Sequence, residues 1–295
     1  MIDKKRVTMH RSLQGRRLLI TGASGGIGRC VADLAAREGS RLVLAARGKE
    51  RLEDLARSLA SGGGEVLAVP ADVTVPADRE RLVQSAVEHF GGLDGLINNA
   101  GVGAFGHFVG SSEAVLRQIM EVNFFAPAEL IRLATPILAK GNQPAVVNVA
   151  SMCGRRGVPA WPEYSASKFA LSGLSEALRA ELARFDIDLL LIVPGLTRSE
   201  LGSHLLRNAG RMKIDFTRGM APERVAAGIV KALRRNKTES VLGWDARWML
   251  RLNRWLPRLV DRLMARKVRK LYADERAART KQPFVEKRAA AVEHR

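Results

Sequence analysis

Between Arg16 and about Leu242, short runs that are almost wholly apolar alternate with longer stretches of helical periodicity, and this alternation restricts the fold more than any other property of the chain. The runs are 16–21, 41–46, 65–70, 93–98, 145–150, 188–193 and 239–243. The helical patterns between them are Gly26–Glu38, Lys49–Ala60, Ala77–Phe90, Ser112–Ala139, Pro162–Phe185 and Ala221–Arg235. A strand that is apolar on both faces must be covered on both faces. When each is followed by an amphipathic helix, right-handed crossovers lay the next strand parallel to the last. The pattern predicts an α/β fold, a doubly wound parallel sheet of about seven strands with helices on both faces, in one domain over 14–243 after a basic lead, 1–13. Gly39, Gly62-Gly63-Gly64 and Gly91-Gly92 close the first three helical patterns.

With 46% apolar residues in 295, a disordered chain is excluded, and 5% aromatics suits helices on a parallel sheet better than a β-sandwich. Cys30 and Cys153 form no CxxC pair and the five histidines show no ligand spacing, which argues against a disulfide scaffold and a zinc site. No run reaches the roughly 18 apolar residues of a spanning helix and no signal peptide is visible, so the expected compartment is the cytoplasm. Forty-eight Lys+Arg against 30 Asp+Glu leave +18. Such an excess calls for an anionic partner: a phosphate-bearing cofactor, a nucleic acid or an acidic membrane surface.

The first strand runs straight into Thr21-Gly22-Ala23-Ser24-Gly25-Gly26-Ile27-Gly28 and then a helix. Gly22 permits the sharp turn, Gly26 lets backbone approach a pyrophosphate, Gly28 lets the helix sit close to the strand, and the helix N-terminus offers N–H groups to phosphate. Taken alone, the turn is equally a ligand-free strand–helix connection. Its TGxxxGxG spacing occurs here with Asn98-Asn99-Ala100-Gly101 after the fourth strand, Asn123 in a helix, Ser151 after the fifth strand, and Tyr164-Ser165-Ala166-Ser167-Lys168. Together these motifs resemble the short-chain dehydrogenase/reductase family in its compact single-domain branch, over about residues 14–243.

The resemblance implies an oxidoreductase that moves a hydride between a nicotinamide cofactor and a carbonyl or alcohol. The implied cofactor contacts are Thr21, Gly22, Ser24, Gly25, Gly26, Ile27 and Gly28 in the turn, Asp72 and Val73 at the adenine, and Asn99, Ala100 and Gly101 at the ribose. Pro194 and Gly195 are implied at the nicotinamide wall, with Thr197 or Ser199 for the carboxamide. Ala46 stands where an NAD-preferring member carries an acid, and Arg47 follows it, so NADP(H) is expected, with NAD(H) the alternative. Tyr164 and Lys168, at i and i+4, share a helix face, so an ammonium there can lower the tyrosine pKa while also binding the ribose. Ser151 is expected to hold the substrate oxygen, and the helix of Asn123 to carry a proton path to Lys168. Cys153, with no histidine near it in sequence, is read as a small buried thiol.

Residues 196–220 occupy the place of the family's substrate lid, and carry Leu201, Leu205, Leu206, Met212, Ile214 and Phe216. Phe105, Phe108, Pro159 and Trp161 are expected opposite them, which suits an apolar or lipid-like substrate. The helical patterns 112–139 and 162–185 are the expected interface of a homodimer or tetramer. The basic extension 244–295 holds an amphipathic pattern over 245–272, broken at Pro257, expected to lie on an anionic membrane or to pack on the domain or a second subunit. A cofactor-binding protein without turnover and a basic nucleic-acid binder are the rival readings.

Overall fold

The structure, a computed structural model, describes residues 10–198, 200–202, 205–212 and 215–274. The main sheet consists of β1 (Arg17–Thr21), β2 (Arg41–Ala46), β3 (Val66–Pro70), β4 (Gly95–Asn98), β6 (Ala145–Val149), β7 (Asp188–Pro194) and β9 (Glu239–Leu242). Their order is β3-β2-β1-β4-β6-β7-β9, all parallel. Two-residue strands β5 (Ala104–Phe105) and β8 (Arg207–Asn208) pair separately. The helices are α1 (Gly26–Arg37), α2 (Lys49–Ser61), α3 (Pro76–Phe90), α4 (Glu113–Met120), α5 (Ala126–Leu138), α6 (Pro162–Leu182), α7 (Pro222–Arg234), α8 (Trp244–Trp255) and α9 (Pro257–Leu271).

Successive strand residues point to opposite faces, which is why these strands read as unbroken apolar runs. Leu18, Ile20, Leu42, Leu44, Val147 and Ile192 join one core with α1, α2 and α7. Leu19, Val43, Val146 and Leu189 join the other, with α3, α5 and α6. The chain runs outward from β1 to β3, then returns to β4 on the other side of β1. Loops at the carboxyl ends of β1 and β4 therefore diverge and leave a crevice, the usual ligand position in such sheets.

The predicted single helix 112–139 is interrupted by a π-helical turn, Glu121–Phe125. Pro127 has no N–H to give the carbonyl of Asn123 four residues earlier, and its ring crowds that carbonyl, so the chain widens there. Arg11 and Leu13, which precede the predicted domain start, are buried. Arg11, 1% exposed, donates to the carbonyls of Leu233 (3.1 Å) and Gln143 (3.0 Å) and pairs with Asp188. By contacts, the described residues up to Leu250 form one compact unit and those from Arg251 another.

Candidate active site

At the crevice the two loops are sewn together by Thr21 and Asn99. The Thr21 hydroxyl accepts from the N–H groups of Asn99 (3.0 Å) and Ala100 (3.1 Å), and the Asn99 amide donates to the carbonyls of Thr21 (3.0 Å) and Gly22 (3.1 Å). Gly22 has φ +65°, and a Cβ on Gly28 would lie 2.2 Å from the Gly22 carbonyl oxygen, so α1 rests against the turn where only glycine fits. The N-cap of α1 is Gly25, which has no side chain to cap the helix, and its first N–H groups face the crevice uncapped.

A cavity of about 420 Å³ opens there. Gly22, Ser24, Gly25, Gly26, Ile27, Arg47, Asn99, Ala100 and Gly101 line one half of it. Ser151, Tyr164, Lys168, Pro194, Gly195 and Thr197 line the rest. Asp72 and Val73 lie in an adjoining hollow with Ala46, Arg47 and Gly48. Thr21, Gly28 and Asn123 line neither and act as braces. Asn123 donates to Val102 O (2.9 Å) and Ser167 Oγ (3.0 Å) and accepts from Val102 N (2.9 Å). Ser199 and Ile214 lie outside the described residues.

Ser151 caps a short 3-10 turn after β6, its hydroxyl accepting from Cys153 N (3.1 Å). α6 delivers Tyr164 and Lys168 to the same cavity, and Lys168 donates to Val149 O (2.9 Å). The Lys168 nitrogen stands 5.9 Å from the centre of the Tyr164 ring. Burial pushes the phenol well above its ordinary range, opposed by the neighbouring Ser151 hydroxyl, and pushes Lys168 down to about 8. This differs from the expected lowering of the tyrosine: desolvation dominates over the Ser151 hydroxyl, and the Lys168 nitrogen is held on the Val149 carbonyl. Burial likewise raises the Cys153 thiol.

The described part of residues 196–220 is tied at two places. Leu206 N donates to Gly103 O (2.9 Å) and Ala209 N to Phe105 O (2.7 Å), extending the β5–β8 pair, while Thr197 bridges Met220. Phe105, Trp161 and Tyr164 cluster with Cys153, Val158, Leu201, Leu205, Met212 and Phe216. Leu206 turns away to pack with Val102 and Ile119, and Phe108 is exposed. Among the cavity residues outside the expected site are Arg51 and Cys153. Arg51, in the first turn of α2, lines both hollows, and Cys153 lines the cavity on the side of Ser151 and Tyr164. The closeness of Arg51 to Arg47 in the sequence was the available signal for Arg51.

The sequence profile of the short chain dehydrogenase family matches residues 16–209. The chain belongs to the short-chain dehydrogenase/reductase family. Among its relatives, an uncharacterized oxidoreductase of Bacillus subtilis, YxnA, is 32% identical over 278 residues, covering 92% of this chain and 77% of that one. The ketoacyl reductase HetN of a Nostoc species is 32% identical, covering 85% and 89%. A Burkholderia phymatum short-chain dehydrogenase/reductase solved with NAD superposes with a TM-score of 0.77 at 26% identity, over 84% of this chain and 96% of that one. As a short-chain dehydrogenase/reductase, the protein is an oxidoreductase acting on CH–OH and C=O groups with NAD or NADP. The uncapped helix terminus, the glycine-only approach and the cavity continuous from Gly22 to Tyr164 fit a dinucleotide.

Proposed function

We propose that this enzyme is an NADP(H)-preferring reductase or dehydrogenase of apolar, lipid-like carbonyls and alcohols, working through Asn123, Ser151, Tyr164 and Lys168. The observation that carries the reading is that Ser151, Tyr164 and Lys168 line one cavity with the glycine turn at the sheet's crossing point. The nicotinamide supplies or receives the hydride when bound. The Ser151 hydroxyl holds the substrate oxygen, and the Tyr164 phenol gives that oxygen its proton in reduction and takes it back in oxidation. A phenol kept protonated by burial is ready for the reductive direction. Lys168 binds the ribose hydroxyls and passes protons to Tyr164, while Asn123 fixes Val102 and Ser167 beside that path.

Ala46 offers no carboxylate to repel a 2′-phosphate, and Arg47, with Arg51 beside it, supplies positive charge for one. Val158, Trp161, Leu201 and Phe216 along the cavity support an apolar substrate, as does the relative named for ketoacyl reduction. In this reading residues 14–243 are the catalytic domain with lid 196–220, and 244–295 an extension. Exposed Phe125 and Phe169, beside and on the helices expected to pair, support a homo-oligomer. Purified protein with NADPH or NADP+ and a panel of apolar carbonyls and alcohols, followed at the nicotinamide absorbance, tests the proposal. Cofactor binding with no turnover across the panel favours the rival of a binding protein. A salt-steep affinity for DNA without turnover favours the nucleic-acid reading.

A further inference from the structure

The helices after the last strand take no part in the chemistry above. On α8, at about 100° per residue, Trp244, Trp248 and Trp255 fall within roughly 40° of arc. Leu252 lies on one flank of this stripe, with Leu256 just beyond the end of the helix, and Arg247, Arg251 and Arg254 lie on the other flank. The stripe is bare: Trp244 is 76%, Trp248 53% and Trp255 80% exposed, and Leu252 and Leu256 are exposed as well, whereas Ala246 on the opposite side is buried. On α9, Arg258, Arg262, Arg266 and Arg269 are exposed together with Leu259 and Leu263. From Trp244 to Leu271 the chain carries nine Arg and Lys against Asp245 and Asp261. No helix among the described residues is long and apolar enough to cross a membrane.

We propose that α8 docks on the surface of an anionic lipid bilayer, with its three tryptophans at the boundary of headgroups and acyl chains and its arginines on the lipid phosphates, α9 adding further basic charge. Indole pairs an apolar ring with an N–H donor and suits that boundary better than either bulk phase. Charge decides the occupant. A second copy would bring the same basic segment against this one, placing like charges in contact. A nucleic acid would engage the arginines and leave the tryptophans in water. A bilayer rich in acidic lipid satisfies both sides of the stripe.

The docked helix starts at the wall of the active site. Asp245, in its first turn, accepts from Leu196 N (3.4 Å), and a Cβ on Gly195 would lie 2.8 Å from the Asp245 carboxylate. Docking therefore brings the base of the lid to the lipid surface. Supply of an apolar substrate from the bilayer is a consequence that rests on the substrate reading above, whereas docking itself does not.

The test uses the full chain, without cofactor or substrate, and vesicles of phosphatidylcholine with and without phosphatidylglycerol. Co-sedimentation is expected only with the acidic lipid, weakening as salt rises, with tryptophan fluorescence quenched by brominated lipid. Trp248→Ser with Trp255→Ser, and separately Arg251→Glu with Arg254→Glu, should each lower partitioning roughly tenfold or more, with circular dichroism unchanged because all four side chains are exposed. No binding at low salt overturns the proposal, as does binding without quenching by brominated lipid. Self-association that the tryptophan variant abolishes, in the absence of lipid binding, overturns it in favour of a second copy. A lack of turnover with apolar substrates in a protein that still binds vesicles would count against the substrate reading alone.

Discussion

Tyr164 and Lys168 share a buried environment that disfavours charge on either, and replacing each separates their duties. Tyr164→Phe removes one oxygen and keeps the ring that packs on Trp161. Turnover should fall by about 10²–10⁴ while NADPH affinity, read by fluorescence titration, stays within about twofold. Turnover retained in this variant removes Tyr164 from the mechanism. Lys168→Ala should weaken both turnover and cofactor binding, because in the proposed mechanism its nitrogen serves the ribose as well as the phenol. At the other end of the cavity, Arg47→Ala, or Ala46→Asp, should move the ratio of kcat/KM for NADPH over NADH toward NADH by roughly tenfold or more, the worth of one charge-assisted contact. Arg51→Ala should move it the same way. An unchanged ratio in all three would mean that no group in this hollow discriminates the 2′-phosphate.

Among the elements, the turn from β1 to α1 tolerates least. Gly28→Ala places a methyl 2.2 Å from the Gly22 carbonyl, which must push α1 off the strand. A loss of about 1–3 kcal/mol in urea unfolding and a marked loss of cofactor affinity are expected, and a stable variant with normal affinity would show that the close approach is dispensable. The main strands were legible because a strand buried on both faces gives an unbroken apolar run. β2 matches its expected bounds, and the others differ by no more than two residues at an end. β5 and β8 escaped because two residues carry no periodicity. The π turn was written in Pro127, but the apolar pattern on either side of it reads as one helix. Arg11 was counted with a basic lead because arginine is ordinarily solvated, and its cage of carbonyls comes from segments more than a hundred residues away. The four proposed catalytic residues were legible through their motifs. Arg51 was hidden by the ordinary look of a charged helix start.

For the molecule as a whole, Lys168 makes stability depend on pH in a definite direction. In the folded protein it loses its proton near 8, and in the unfolded chain near 10.5. Across that interval Lys168 binds more protons in the unfolded chain, so its contribution to the stability of the cofactor-free enzyme rises with pH, while the Cys30 and Cys153 thiols, raised by burial, contribute in the opposite direction. Above about 10 the lysine is opposed further, because the unfolded chain ionises a tyrosine that the fold holds neutral. The change in urea-unfolding free energy from pH about 7.5 to about 9.5 should be roughly 2 kcal/mol more positive in the parent than in Lys168→Met. A pH dependence that the substitution leaves unaltered would take Lys168 out of it.

The strand order also fixes when the protein can come into being during synthesis. The apolar side of α1 is closed by α7, nearly two hundred residues later, and β7 finds its outer neighbour only when β9 has been made. Until the ribosome has released residues 222–242, one core stands open and a growing chain exposes the surface that aggregates most readily. The segment 16–209 that carries the family signature therefore ends too early to be a folding unit. Expressed by itself it should be recovered in the insoluble fraction, and a soluble, cooperatively unfolding fragment would show that the late helix is a covering and not a requirement.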